Sequence, residues 1–136
     1  MQNRSTEGDS RLPNKHFDAT VLERFEALPG AEFLWVDHAG KTSCKTFRNE
    51  PSHDAAPRWM RLLLGLAERM ADELELGRPR ILVSVHEQAL LVVGRGSSAR
   101  IGLVSDDIGA AGMAMITTRQ WLDSLEDETG GSADAG

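Results

Sequence analysis

Gly94-Arg-Gly-Ser-Ser-Ala99 has the G-x-G-x-x-A spacing of a dinucleotide-binding loop, whose glycines let the backbone approach a pyrophosphate held at the amino end of the next helix. Here the glycines lead into Arg100-Ile-Gly-Leu-Val104, a run of strand character, so no helix end receives the phosphates and the segment reads as a hairpin loop. Gly40-Lys-Thr42 resembles the close of a phosphate-binding loop, but Trp35 stands where the earlier glycine is required. His86-Glu87 begins a zincin-like motif that fails at its fifth position, Leu90, where the second metal ligand belongs. His38, His53 and His86 fall in separate turns with Cys44 as the single thiol, and no Ser-His-Asp set is fixed by spacing. Ser105-Asp-Asp107 has the chemistry to hold a cation or an arginine, yet it precedes a helix, where capping uses the same residues. Arg95 and Arg100 flank a hairpin tip and are suited either to an acidic partner or to solvent. No catalytic, cofactor or metal residue follows from these motifs, and the sequence shows no convergent polar set of the kind a small-molecule pocket needs.

The elements that must position these residues are clearest from Arg80 onward. Ile81–Val85, Ala89–Val93 and Ala99–Val104 are three strand-length aliphatic runs. His86-Glu-Gln88 is too short for anything but a hairpin, and Gly94 and Gly96 are expected to supply positive φ in a longer one. A helix follows, from Ala110 to Leu125. Upstream, Asp18 can cap a helix with Val21, Leu22, Phe25 and Leu28 on one face, Phe17 stapling against Leu22 and Pro29-Gly30 ending it. Glu32–Val36 is a strand, Asp37-His-Ala-Gly40 a turn with glycine fourth, and Lys41–Arg48 a half-exposed second strand.

Ser52 or Asp54 is placed to cap the longest helix, from about Ala55 to Leu76, with Pro57 in its first turn and Gly77 at its end. One apolar row on it is Trp59, Leu63, Leu66, Met70 and Leu74; a second is Met60, Leu64, Ala67 and Ala71, with Leu62 widening the arc. That arc is wider than one sheet covers, so the helix is expected to bury two sides. The order α-β-β-α-β-β-β-α predicts an α+β fold, a five-stranded antiparallel sheet with helices on both faces.

With 136 residues the chain has room for one core, assigned to 16–127, between polar tails expected to be disordered at 1–15 and 128–136. A net charge of −6 with dispersed Lys and Arg argues against nucleic acid. One cysteine, no signal-like amino end and no membrane-length apolar run suggest a cytoplasmic protein without membrane insertion.

Asp37-His-Ala-Gly40, the long middle helix, the hairpin 81–93 and Ile101-Gly-Leu-Val-Ser-Asp-Asp-Ile-Gly109 leading into the last helix resemble the roadblock/LC7 family over about residues 18–126. The resemblance implies a non-enzymatic homodimer without cofactors. In such a dimer the middle helices pack together and the sheets join through the third strand, and the protein binds or scaffolds a small Ras-like GTPase, in bacteria often a gliding or polarity GTPase. The interface expected on these grounds comprises Arg58, Trp59, Arg61, Leu62, Leu63, Leu66, Met70, Asp72 and Glu73 of the helix and Ile81, Val83 and Val85 of the strand. Arg58 and Arg61 at the helix start, against Glu68, Asp72, Glu73 and Glu75 in its second half, oppose the helix dipole and favour antiparallel packing of two copies. Rival readings are a type III secretion chaperone, whose usual order has three strands between the first two helices, and a profilin- or GAF-like small-molecule sensor.

Overall fold

The computed structural model describes residues 19–48 and 53–135, with side chains described for 22–48 and 53–126. The elements are α1 (Ala19–Glu26), β1 (Ala31–His38), β2 (Lys41–Thr46), α2 (Ala56–Glu73), β3 (Ile81–Val85), β4 (Leu90–Arg95), β5 (Ala99–Ser105), a 3-10 turn (Ile108–Ala110) and α3 (Ala111–Ala135). The strands form one antiparallel sheet in the order β2-β1-β5-β4-β3, so consecutive hairpins are joined through β1 and β5 at its middle.

Alternation along the strands sorts side chains to two cores. Leu34, Val36, Val92, Ile101 and Leu103 face α1 and α3, where they meet Phe25, Leu28, Trp121 and Leu122. Phe33, Trp35 and Val93 face α2 and its Met60 and Leu64. Two glycines admit the helices closely. A Cβ on Gly102 would lie 2.3 Å from the Met60 sulfur, and one on Gly94 would lie 2.8 Å from the Thr118 methyl.

Several local expectations are revised. Gly94 lies within β4, and neither it nor Gly96 has positive φ; their task is proximity to α3. β1 runs on to His38, which pairs with Lys41, so the first hairpin turns on Ala39 and Gly40 alone, both left-handed at φ 53° and 78°. This is the twist that joins antiparallel strands tightly, and it replaces the expected four-residue turn. β2 stops at Thr46 and is mostly exposed, which suits the lysines of an edge strand.

The N-cap of α2 falls on Ala55, which offers no side-chain cap, in place of Asp54; Ser52, like the expected cap Asp18 and the staple residue Phe17, lies outside the described residues. The Ala56 amide bonds to the His53 carbonyl and Pro57 removes one orphan donor, so less capping is required. At its other end α2 closes before Gly77. The Glu75 amide reaches the Asp72 carbonyl and the Leu76 amide the Ala71 carbonyl, with Glu75 itself left-handed at φ 58°. That double bond pattern terminates a helix without glycine at the turning residue. α3 continues as helix to Ala135, past the expected end at Leu125 and through the segment expected to be a disordered tail, with no proline to stop it.

Candidate functional site

Two surfaces carry the functional possibilities. The first is the outer face of α2. Its inner row, Met60, Leu64, Ala67 and Ala71, is buried under the sheet. Its outer row is bare: Trp59, Leu62, Leu66, Met70 and Leu74 are between 50% and 65% exposed. Leu63 lies between the two, partly buried against the cluster that holds Phe33, Trp35 and Val93. Arg58 is exposed, with its guanidinium 5.4 Å from the Trp59 ring, and Asp72 and Glu73 are exposed as well. Glu68, one of the acids expected to meet a second copy, pairs with Arg95 of its own chain.

The edge strand β3 contributes differently. Ile81 and Val83 pack against the α3 core, on the sheet face opposite α2, while Val85 at the strand end is exposed. The outer row of α2 and the side chains of Ile81 and Val83 therefore share no face, and only the open backbone edge of β3 could bring both into one contact.

The second surface centres on Asp37, whose place follows from the same alternation. It succeeds Phe33 and Trp35 on the face that α2 covers, so a carboxylate arrives beneath a helix. Arg61 meets it with Nε 2.8 Å from one oxygen and Nη2 3.0 Å from the other. Arg100 of β5 adds a bond of 3.1 Å, the Thr42 hydroxyl one of 2.6 Å and the Trp35 indole N–H one of 3.2 Å. Burial pushes the Asp37 carboxyl up, but the Arg61 and Thr42 hydrogen bonds and the charges of Arg61 and Arg100 outweigh it and hold the pKa below the ordinary value of 3.8. On the neighbouring strand, burial raises the Cys44 thiol, against the opposing pull of Arg61.

Arg61, expected at a dimer interface, is bound to Asp37 within the chain and lies 5.4 Å from the Trp35 ring. Above this cluster the two hairpin ends and α2 enclose a cleft of 540 Å³ that includes Lys41, Gly65, Glu68, Arg95 and Arg100. A convergent polar set, which the sequence did not display, thus exists, assembled from elements far apart in the chain. The available signal was the period-two placement of Asp37 on a helix-covered face, which demands a cation from that helix.

The remaining motif residues have structural tasks. The Ser105 hydroxyl donates to the Pro29 carbonyl and accepts from the Asp107 amide, Asp107 accepts from the Gly109 amide, and Asp106 pairs with Arg48 at 2.6 Å. His86 Nε2 lies 2.7 Å from the Ser84 hydroxyl, and His53 Nε2 lies 3.2 Å from the buried Glu32 while its ring stacks on Phe33. No helix among the described residues is long and apolar enough to cross a membrane.

No family model and no curated protein matches the chain. Solved structures do. MglB in a tetrameric arrangement superposes with a TM-score of 0.65 at 20% identity, covering 78% of this chain and 82% of that one. The gliding protein MglB from Thermus thermophilus gives 0.64 at 20% identity, covering 80% and 87%. A roadblock/LC7 domain from Streptomyces avermitilis gives 0.63 at 15% identity, covering 79% and 92%. The fold is that of the roadblock/LC7 domain. Within the roadblock/LC7 fold of this chain, the bare row of α2 and the Asp37 cleft occupy different surfaces, one apolar and one charged.

Proposed function

We propose that the protein is a non-enzymatic homodimeric regulator or scaffold for a small Ras-like GTPase, acting in the cytoplasm. The observation that carries this reading is the bare outer row of α2, which continues the apolar arc of the buried row around the same helix. Five large side chains left about half-exposed forgo roughly 1 kcal/mol each of burial, a deficit that a second copy of the helix removes. The isologous contact this creates is the commonest way for a soluble chain to close its symmetry. The likeness to MglB, a gliding protein, supports a GTPase as the partner in the way the family resemblance implies. A single cysteine suits a reducing compartment.

The test has two parts. Sedimentation of the full chain at low micromolar concentration should give a dimer, and a clean monomer would overturn the two-sided helix. Affinity capture from the native host should recover a Ras-like GTPase, whose hydrolysis rate with and without this protein then separates a regulator from a scaffold. Hydrolase or transferase turnover by the isolated protein would refute the non-enzymatic assignment.

A further inference from the structure

The strand β2 borders the sheet with its outer backbone edge open. The Phe47 amide donates inward to the Glu32 carbonyl at 2.8 Å, one pair beyond Thr46 opposite Phe33. Antiparallel alternation then turns the N–H and C=O groups of Lys41, Ser43 and Lys45 toward β1, and those of Thr42, Cys44 and Thr46 outward. No turn or loop bond among the described residues uses these outward groups. We infer that β2 receives an extended acidic segment of a partner protein, which adds a further strand to the sheet. The inference does not rest on the GTPase assignment or on the α2 row, since β2 and β3 are opposite borders.

Backbone bonds supply affinity in such an addition, and the alternate side chains choose the partner. Thr42 and Cys44 stand opposite Asp37 and Trp35 and share the face that α2 covers, so Lys41 and Lys45 point together to the other face. Both lysines are exposed, and neither makes an ion pair or hydrogen bond among the described residues. Glu23 and Glu26, exposed acids of α1 on that side of the sheet, pair with neither. Arg48, just past the strand, is already committed to Asp106 and Glu32. A neighbouring strand sets its own alternate side chains beside Lys41 and Lys45, where carboxylates are attracted and cations repelled.

Lysines are by themselves a common guard on a bare edge, but β2 lacks the other guards. It has six residues, an ordinary strand length, and contains no proline. Its pairing with β1 runs without a bulge from Lys41 to Thr46, and every residue but Ser43 is exposed, so no described helix or loop covers it. The guard is one of sign alone. It turns away basic strands and admits acidic ones. On the other face Thr42, Cys44 and Thr46 are short, which leaves room for the side chains of an added strand.

The test is a titration of the full chain with a capped peptide of about seven residues in which Glu alternates with Thr, against the same peptide with Lys for Glu. Saturable binding of the Glu peptide is expected, with hydrogen-exchange protection gained at the Thr42, Cys44 and Thr46 amides, while the Lys peptide stays inert. The affinity should fall in about 0.5 M salt. Lys41→Glu combined with Lys45→Glu should weaken the Glu peptide about tenfold or more and let the Lys peptide bind, because each attraction becomes a repulsion. Cys44→Pro, which removes an outward N–H and no bond to β1, should weaken binding about threefold or more, while Cys44→Ser should leave it within about twofold. Failure to saturate by roughly millimolar peptide, equal binding of the two peptides, protection at Ile81–Val85 in place of β2, or charge reversal without effect would overturn the inference. Self-association that Cys44→Pro abolishes would assign the edge to a second copy of this chain and overturn it as well.

Discussion

Arg61 grips Asp37 side-on, two guanidinium nitrogens on two carboxylate oxygens at 2.8 and 3.0 Å, with the guanidinium resting over Trp35. The pair joins α2 to β1, and Arg100 and Thr42 bring β5 and β2 to the same carboxylate. Four elements thus share one anion. The geometry also rejects Lys at position 61, since an ammonium cannot present two parallel donors or lie flat on an indole.

Asp37→Asn should destabilise the fold by roughly 1–3 kcal/mol at neutral pH, because two arginines and a hydroxyl lose their charged acceptor. The pH dependence follows from a folded pKa below 3.8. The charged carboxylate stabilises the protein above its unfolded pKa, and that contribution is lost as pH falls through the lower folded value. Urea melts of both proteins should therefore converge as pH drops below about 4. A gap that stays constant to pH 2 would contradict this.

Ala39 carries a Cβ in the left-handed region, which costs roughly 1–2 kcal/mol that Asn or Gly largely avoids. Ala39→Asn, creating an Asn-Gly turn, should raise the thermal midpoint by roughly 2–6 °C. Calorimetry decides it.

Gly30→Ala should do the reverse. Gly30 has φ +72°, and an added Cβ would lie 2.7 Å from the backbone nitrogen of Asp107 and 2.4 Å from the Asp106 carboxylate. Backbone cannot step aside as a side-chain tip can, so a loss of about 2–4 kcal/mol is expected in denaturant titration.

Leu66→Asp places a charge in the middle of the bare α2 row, at a site 65% exposed in the single chain. Circular dichroism should remain that of the parent, while the dimer dissociation constant rises at least about tenfold in sedimentation. Loss of the fold itself would show that the row serves the monomer core.

The orientation of that dimer is tested by charge alone. Arg58→Glu should weaken an antiparallel pair of helices at low salt, and adding Asp72→Lys with Glu73→Lys should restore it; each pair contributes roughly 0.2–1 kcal/mol. Arg61 is excluded from the set because its loss would unseat Asp37. Equal association of all three proteins at low salt would count against antiparallel packing.

Element order, strand number and the two rows of α2 were legible in the sequence because each is a periodicity: two for strands, near 3.6 for helices. The inner row is buried, while of the row expected as Trp59, Leu63, Leu66, Met70 and Leu74 all but the half-buried Leu63 are exposed in the single chain. Turn and cap detail was less legible. Ala39 and Glu75 adopt left-handed conformations that their residue types do not advertise, while Gly94 and Gly96, which do advertise it, serve packing instead. The charged cleft was hidden for another reason. Asp37, Arg61, Arg95 and Arg100 are brought together by a sheet order that places β5 beside β1, a long-range pairing that local spacing does not encode.

The two borders of the sheet are unlike. β2 ends it with Lys41 and Lys45 on an exposed, polar strand, while β3 ends it with the aliphatic run Ile81 to Val85. Lysines along a free backbone edge repel a second such edge, so lateral growth has one competent end and one dead end. Any assembly that extends the sheet through β3 consumes its only competent ends in the first joining event. What would remain outside such an assembly is β2 on both flanks, a terminator on each side, so growth of the sheet by that route would stop at two subunits.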